Sequence, residues 1–113
     1  MKKLILTLVL VATVSFTYAQ QKSAEQRATA NTKEMVKALS LDADQETEIN
    51  KINLVKNTKL IANDVKEQSK EEKKANQKVI YVEAGGKFKE LLGKEKMNEW
   101  WAYQKAKREK EKN

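Results

Sequence analysis

The 113-residue chain carries 23 Lys and Arg against 16 Asp and Glu, a net charge of +7, and contains no His, Cys or Pro. One small domain is the most that this length holds. Without His or Cys there is no Ser-His-Asp or Cys-His nucleophile, no zinc cage, no disulfide and no redox pair. A catalyst would have to be built from carboxylates and lysines alone, so an enzyme is not expected, and no cofactor is either.

Residues 1–19 differ from everything after them. Lys2 and Lys3 open the chain, an apolar run fills residues 4–12, and the segment ends with the small residues Thr17 and Ala19. A positive start, a greasy middle and a small-residue exit are the marks of a secretory signal, cleaved here before Gln20. A spanning anchor needs ~17–25 apolar residues, more than this run supplies. The absence of Cys excludes a lipid-modified N-terminal cysteine. Removing Lys2 and Lys3 lowers the net charge to +5 and leaves 22 apolar side chains larger than Ala. So few make a thin core, and a dimer or a bound partner would strengthen it.

The remaining chain is rich in Lys, Glu, Ala, Gln and Asn, which favours helix. Residues 20–40 hold a narrow stripe of Ala24, Ala28, Met35, Val36 and Leu39 at spacings near one helical turn, with a beginning prone to fray. A second helix opens at Asp42, which can cap it while Gln45 reaches back, an Asp form of the capping box. Asp42, Asp44, Glu46 and Glu48 gather where the helix dipole favours negative charge. One apolar face there carries Ile49, Ile52, the stem of Lys56 and Leu60; another carries Leu54, Ile61 and Val65. The helix is expected to end between residues 65 and 68. No large apolar residue lies between Val65 and Val79, and Ser69 with Glu72 is a second capping pair. That favours a turn at residues 66–69, with an unbroken exposed helix as the alternative.

Residues 70–92 pose a choice. Val79-Ile80-Tyr81-Val82 is prone to strand and Gly85-Gly86 suits a hairpin turn. Yet a lone hairpin is hardly stable, and Ile80, Ala84, Phe88 and Leu91 keep helical spacing. Helix is favoured, with a kink at the glycines. A last helix follows Gly93, with Met97, Trp100, Trp101 and Gln104 turned inward, and residues 105–113 form a basic tail.

Two segments are alike: Leu41-Asp42-Ala43-Asp44-Gln45 begins one helix and Leu92-Gly93-Lys94-Glu95-Lys96 begins another. This resembles the Spy/CpxP-like periplasmic proteins, whose signature is a repeated Leu-Thr-x-x-Gln. The first copy has Asp42 for Thr and keeps Gln45; the second has Gly93 for Thr and Lys96 for Gln. The likeness spans roughly residues 39–108, so that residues 41–104 form the Spy/CpxP-like domain. It implies an all-α fold, a small bent helical hairpin of three to four helices, paired as a cradle-like homodimer. It also implies an ATP-independent chaperone or envelope-stress adaptor whose partners are unfolded or envelope proteins, or a sensor protein.

Leu41, Asp42, Gln45, Leu92 and Gly93 are read as structural caps. The candidate client surface is Trp100 and Trp101 with Lys94, Lys96, Lys105 and Arg108. Neighbours on a helix point about 100° apart, so one Trp can fill the core while the other seals a junction or meets a client. Nucleic acid is not expected as a partner, given the export signal and the interspersed acids. Weak contact with an anionic membrane surface is the rival, as part of a structural module without chaperone activity. A metal site is not expected: Met35 and Met97 are the soft donors after cleavage, and the acids at residues 42–48 lack a calcium-site glycine loop.

Overall fold

A computed structural model describes residues 18–112. Residues 1–19, expected to be an export signal, therefore lie, but for the last two, outside the described residues. Four helices follow one another: α1 (Tyr18–Leu39), α2 (Ala43–Val65), α3 (Lys70–Leu92) and α4 (Lys94–Lys112). The fold is all-α, with no strand among the described residues. α1 and α3 lie on either side of α2, and α4 returns to bridge α3 and α1. The bundle is elongated, 48 × 32 × 25 Å.

Each junction is explained by local chemistry. α1 ends at Ser40, whose φ of 52° turns the chain left-handed, and the Leu41 amide donates to the Val36 carbonyl at 3.2 Å. This is the six-to-one bond of a Schellman stop, and it drops Leu41 into the core. Immediately afterwards Asp42 caps α2. Gln45 N–H donates to Asp42 Oδ1 at 2.8 Å and Asp42 N–H donates to Gln45 Oε1 at 3.1 Å, so the reciprocal box forms as the sequence suggests.

α2 stops at Val65, and a turn rather than continuous helix joins it to α3. Ser69 Oγ accepts from the Glu72 amide at 3.1 Å. The turn is tied by side-chain amides: Gln68 Nε2 donates to both Asn63 oxygens, and Asn63 Nδ2 donates to the Lys73 carbonyl.

α3 runs through Val79–Val82 and both glycines without interruption. Helix periodicity prevails over strand propensity because Ile80, Ala84 and Phe88 fall on one buried stripe, whereas an isolated hairpin has nothing to pack against. Gly93 alone links α3 to α4. Its φ of 86° and ψ of 167° lie in a region that is essentially glycine's own. Its N–H donates to the Lys89 carbonyl at 2.8 Å, and its carbonyl accepts from the Met97 amide. Gly93 thus ends one helix as it begins the next. Residues 105–112 are a continuation of α4, so the basic run is helical.

The core gathers where α1 ends, α2 begins, α3 ends and α4 begins. Met35, Leu39, Leu41, Ile49, Ala84, Phe88, Met97 and Trp100 form it, with Ile52 and Leu92 packed alongside. Away from that end the α1–α2 seam turns polar. The most buried row of α2 is Ile49, Asn53, Asn57 and Ile61, which differs from the expected apolar faces: Ile52, Leu54 and Leu60 are half-buried and Val65 is exposed. Asn53 Nδ2 donates to Thr32 Oγ1 at 3.1 Å and Asn57 Nδ2 to Asn31 Oδ1 at 2.9 Å. Thr32 Oγ1 donates to the Ala28 carbonyl at 2.7 Å.

The glycines give opposing expectations. A Cβ at Gly85 or Gly86 meets nothing within 4 Å, so Gly85→Ala and Gly86→Ala should each stabilise the helix by about 0.5–1 kcal/mol. Gly93→Ala should cost about 1–3 kcal/mol through backbone strain. Ser40→Gly should add about 1 kcal/mol by relieving a left-handed non-glycine residue. Urea midpoints of the four variants, at unchanged slope, check the signs.

Candidate protein-binding surface

α4 is held to the rest of the bundle at several places. Met97 and Trp100 insert into the core. Lys96 Nζ donates to the Leu39 carbonyl at 2.8 Å, satisfying one of the free acceptors at the end of α1. Lys107 Nζ meets Glu34 Oε2 at 2.6 Å, and that hydrogen bond, aided by the glutamate charge, raises the Lys107 pKa. Trp100 and Tyr103 stack with ring centroids 5.4 Å apart and planes 15° from parallel.

With Trp100 only 7% exposed, its neighbour must point elsewhere, and Trp101 is 51% exposed. The inward orientation expected for Trp101 and Gln104 is not found, since Gln104 is exposed as well. Trp101 borders a cleft of about 210 Å³ where all four helices contribute. Tyr81, 55% exposed, lines the same cleft. Met35, Phe88 and Met97 supply apolar wall, and Asn31, Asn53 and Gln104 supply amides. Lys56 also reaches it. Burial pushes the Lys56 pKa down, and among the described residues no carboxylate pairs with it. Asn53 Oδ1 is buried without a partner among the described residues.

The six residues expected to form one surface are dispersed by the structure. Trp100 is core, and Lys96 is committed to the end of α1. Lys94 is exposed at the start of α4. Lys105 and Arg108 border a separate shallow face of α4 shared with Glu109, Glu111 and Lys112. Of the six, Trp100 and Trp101 line the cleft, Trp100 as a buried wall and Trp101 as its exposed edge. The five cap residues do occupy helix junctions, with Leu41 in the core and Leu92 packed against it. Tyr81 and Lys56 escape a motif-based reading because they stand on other helices and join Trp101 through tertiary packing alone.

Among the described residues no group of three or more His, Cys, Asp or Glu is placed to hold a metal ion. No described helix is long and apolar enough to cross a membrane.

The two tryptophans should separate cleanly. Trp100→Ala removes a buried ring and should cost about 3–5 kcal/mol, a large part of a small domain's stability. Trp101→Ala should cost about 1 kcal/mol or less. Thermal unfolding followed by circular dichroism measures both.

No curated protein and no solved structure matches the chain. A family model described as a domain of unknown function, DUF4890, matches residues 17–113. That span takes in all four helices and the cleft between them, and the chain belongs to the DUF4890 family.

Proposed function

We propose that the protein is exported and acts by non-covalent binding of other proteins, holding their apolar segments against Trp101, Tyr81 and the cleft between them. The exposure of these two rings beside a single cleft carries the reading. Large aromatic side chains left half in water are the residues most often used to grip a partner; α3 presents Tyr81 and α4 presents Trp101, and both helices are anchored in the core by Phe88, Met97 and Trp100. The half-buried, unpaired ammonium of Lys56 adds a cationic point for acidic or carbonyl groups of a client. The resemblance to Spy/CpxP-like proteins supports the same picture: an ATP-independent chaperone or envelope-stress adaptor, active as a homodimer.

Export fits the architecture of α1. Cleavage before Gln20 removes Tyr18 and Ala19, both exposed, and the first buried residue of α1 is Ala24. Cleavage there removes no buried residue of the described part of α1.

The rival reading, a membrane-surface module, draws on the exposed basic end of α4, residues 105–112. That stretch has Ala106 as its lone apolar side chain, so attraction to anionic headgroups would be electrostatic and lost in salt.

A denatured client diluted into buffer without ATP provides the test. Wild-type protein at stoichiometric amounts should slow its aggregation, and Trp101→Ser with Tyr81→Ser should weaken that protection severalfold with the helical spectrum unchanged. Failure to protect at several-fold excess removes the chaperone reading. Sedimentation with anionic liposomes at low but not high salt, without client protection, would favour the membrane-surface module.

A further inference from the structure

A second groove, of about 170 Å³, opens between α2 and α3. It shares Lys56 and Ala84 with the aromatic cleft and is otherwise lined by different residues. Its floor is Ile52 and Val55 from α2 with Ile80 and Ala84 from α3. In each helix the lining residues recur at helical spacing along one face: 52, 55, 56 and 59 on α2, and 80, 83, 84 and 87 on α3, with Ile80 and Ala84 buried at the bottom and Val55, Lys59, Glu83 and Lys87 exposed at the rim. Residues 51–59 span ~12 Å of helix. At about 170 Å³ the groove is much smaller than an equal length of helix, whose diameter with side chains is ~10 Å, and is of the size of a single hydrocarbon chain.

Its charge is one-sided. Four lysines, Lys51, Lys56, Lys59 and Lys87, border it with one glutamate, Glu83. Glu83 is already bound to Lys59 at 3.0 Å, and that bridge crosses from α3 to α2. Lys51 meets Glu48 of its own helix, both well exposed. Lys56 and Lys87 have no carboxylate among the described residues. An apolar channel with uncompensated cations over it complements an amphiphile whose head is anionic.

We propose that the α2–α3 groove binds a medium-chain carboxylate, its acyl chain lying on Ile52, Val55, Ile80 and Ala84 and its head group held by Lys56 and Lys87. Lys56 is the main determinant. Its ammonium is partly stripped of water by its surroundings, which lowers its pKa, and an arriving carboxylate restores the missing counter-charge. Lys87 is exposed and contributes less. Trp101 and Tyr81 do not line the groove, which meets the aromatic cleft only at Lys56 and Ala84.

Sodium octanoate, below its micellar concentration, is the probe, titrated into the full mature chain by calorimetry and thermal unfolding. Saturable binding and a raised unfolding temperature are expected. Octanol, without the charge, and propionate, without the chain, should each bind at least about tenfold more weakly, the worth of one hydrogen bond to a charged group or more. Lys56→Met should lose octanoate affinity by a similar factor. Its own unfolding temperature should rise, because a desolvated charge has been removed, which shows that the variant is folded. Lys87→Gln should weaken binding a few-fold, and Lys94→Met, outside the groove, should leave it unchanged. The proposal is overturned by the absence of saturable octanoate binding, by octanol binding equally well, or by an unaltered response in Lys56→Met. Salt-sensitive binding to anionic vesicles that persists in Lys56→Met, without any octanoate response, would also overturn it.

Discussion

The whole bundle depends on the convergence of four helix ends on one small core. Two of the three connections lie there, the Ser40–Asp42 corner and Gly93, and each brings unpaired backbone groups close to apolar packing. Such groups are expensive to bury unless they are bonded. At the first corner the Schellman bond and the Asp42–Gln45 box supply the partners. Lys96 then supplies a further one from α4, 57 residues along the chain, by donating to the Leu39 carbonyl. At the second corner a single glycine bonds in both directions. Because these junctions are satisfied, Met35, Leu39, Ile49, Phe88, Met97 and Trp100 can close over them. Few other large apolar residues remain to build with.

Scarcity of apolar residues accounts for the seam between α1 and α2. Beyond Met35 and Ile49 the two helices meet through small and polar residues: Ala24, Ala28 and Thr32 against Asn53 and Asn57. The alanines allow close approach, and the asparagines bond across the gap. A neutral buried hydrogen bond adds only about 1 kcal/mol net. Its larger effect here is on register. Slipping α1 by a turn would separate Thr32 from Asn53 and Asn31 from Asn57 together, leaving buried amides unpaired. In a chain whose composition repeats Lys, Glu and Ala, that penalty distinguishes one alignment from its neighbours.

Legibility in the sequence followed the range of the interaction. Both helix caps, at Asp42 and Ser69, act within three residues and could be read directly; the turn between α2 and α3 was favoured by the Ser69 cap but left open against a continuous helix. The helical state of residues 79–92 required one further physical argument, that an isolated hairpin does not stand. Burial of Thr32, Asn53 and Asn57 was not legible, because a periodicity built on apolar residues assigns polar ones to the surface. Lys96 resembled surface charge and proved to cap a distant helix. Gly93 looked like a degraded Thr and is instead the residue that a one-residue helix connection demands, since no side-chain cap can adopt its backbone angles. Of the candidate surface, the tryptophan pair could be singled out, while Tyr81 and Lys56 depended on how α2, α3 and α4 pack.

The exposed aromatic surface and the cationic groove share a cause on α2. The stripe that α2 turns towards α3 runs Ile52, Val55, Lys56 and Lys59, and it meets Ile80, Glu83, Ala84 and Lys87. A lysine at its centre keeps the seam from closing, since the ammonium must stay near water while its stem packs. Ala84, the smallest side chain of the facing stripe, lines both depressions with it. The gap between them borders the aromatic cleft as well as the α2–α3 groove. An apolar residue at position 56 would let the two helices approach, fill both depressions and lower the cost of the fold. Retaining a half-buried cation without a counter-ion is a poor solution for stability alone. It is a reasonable one for a surface that must receive an acidic or amphiphilic guest, because the unfavourable charge is relieved only when that guest arrives.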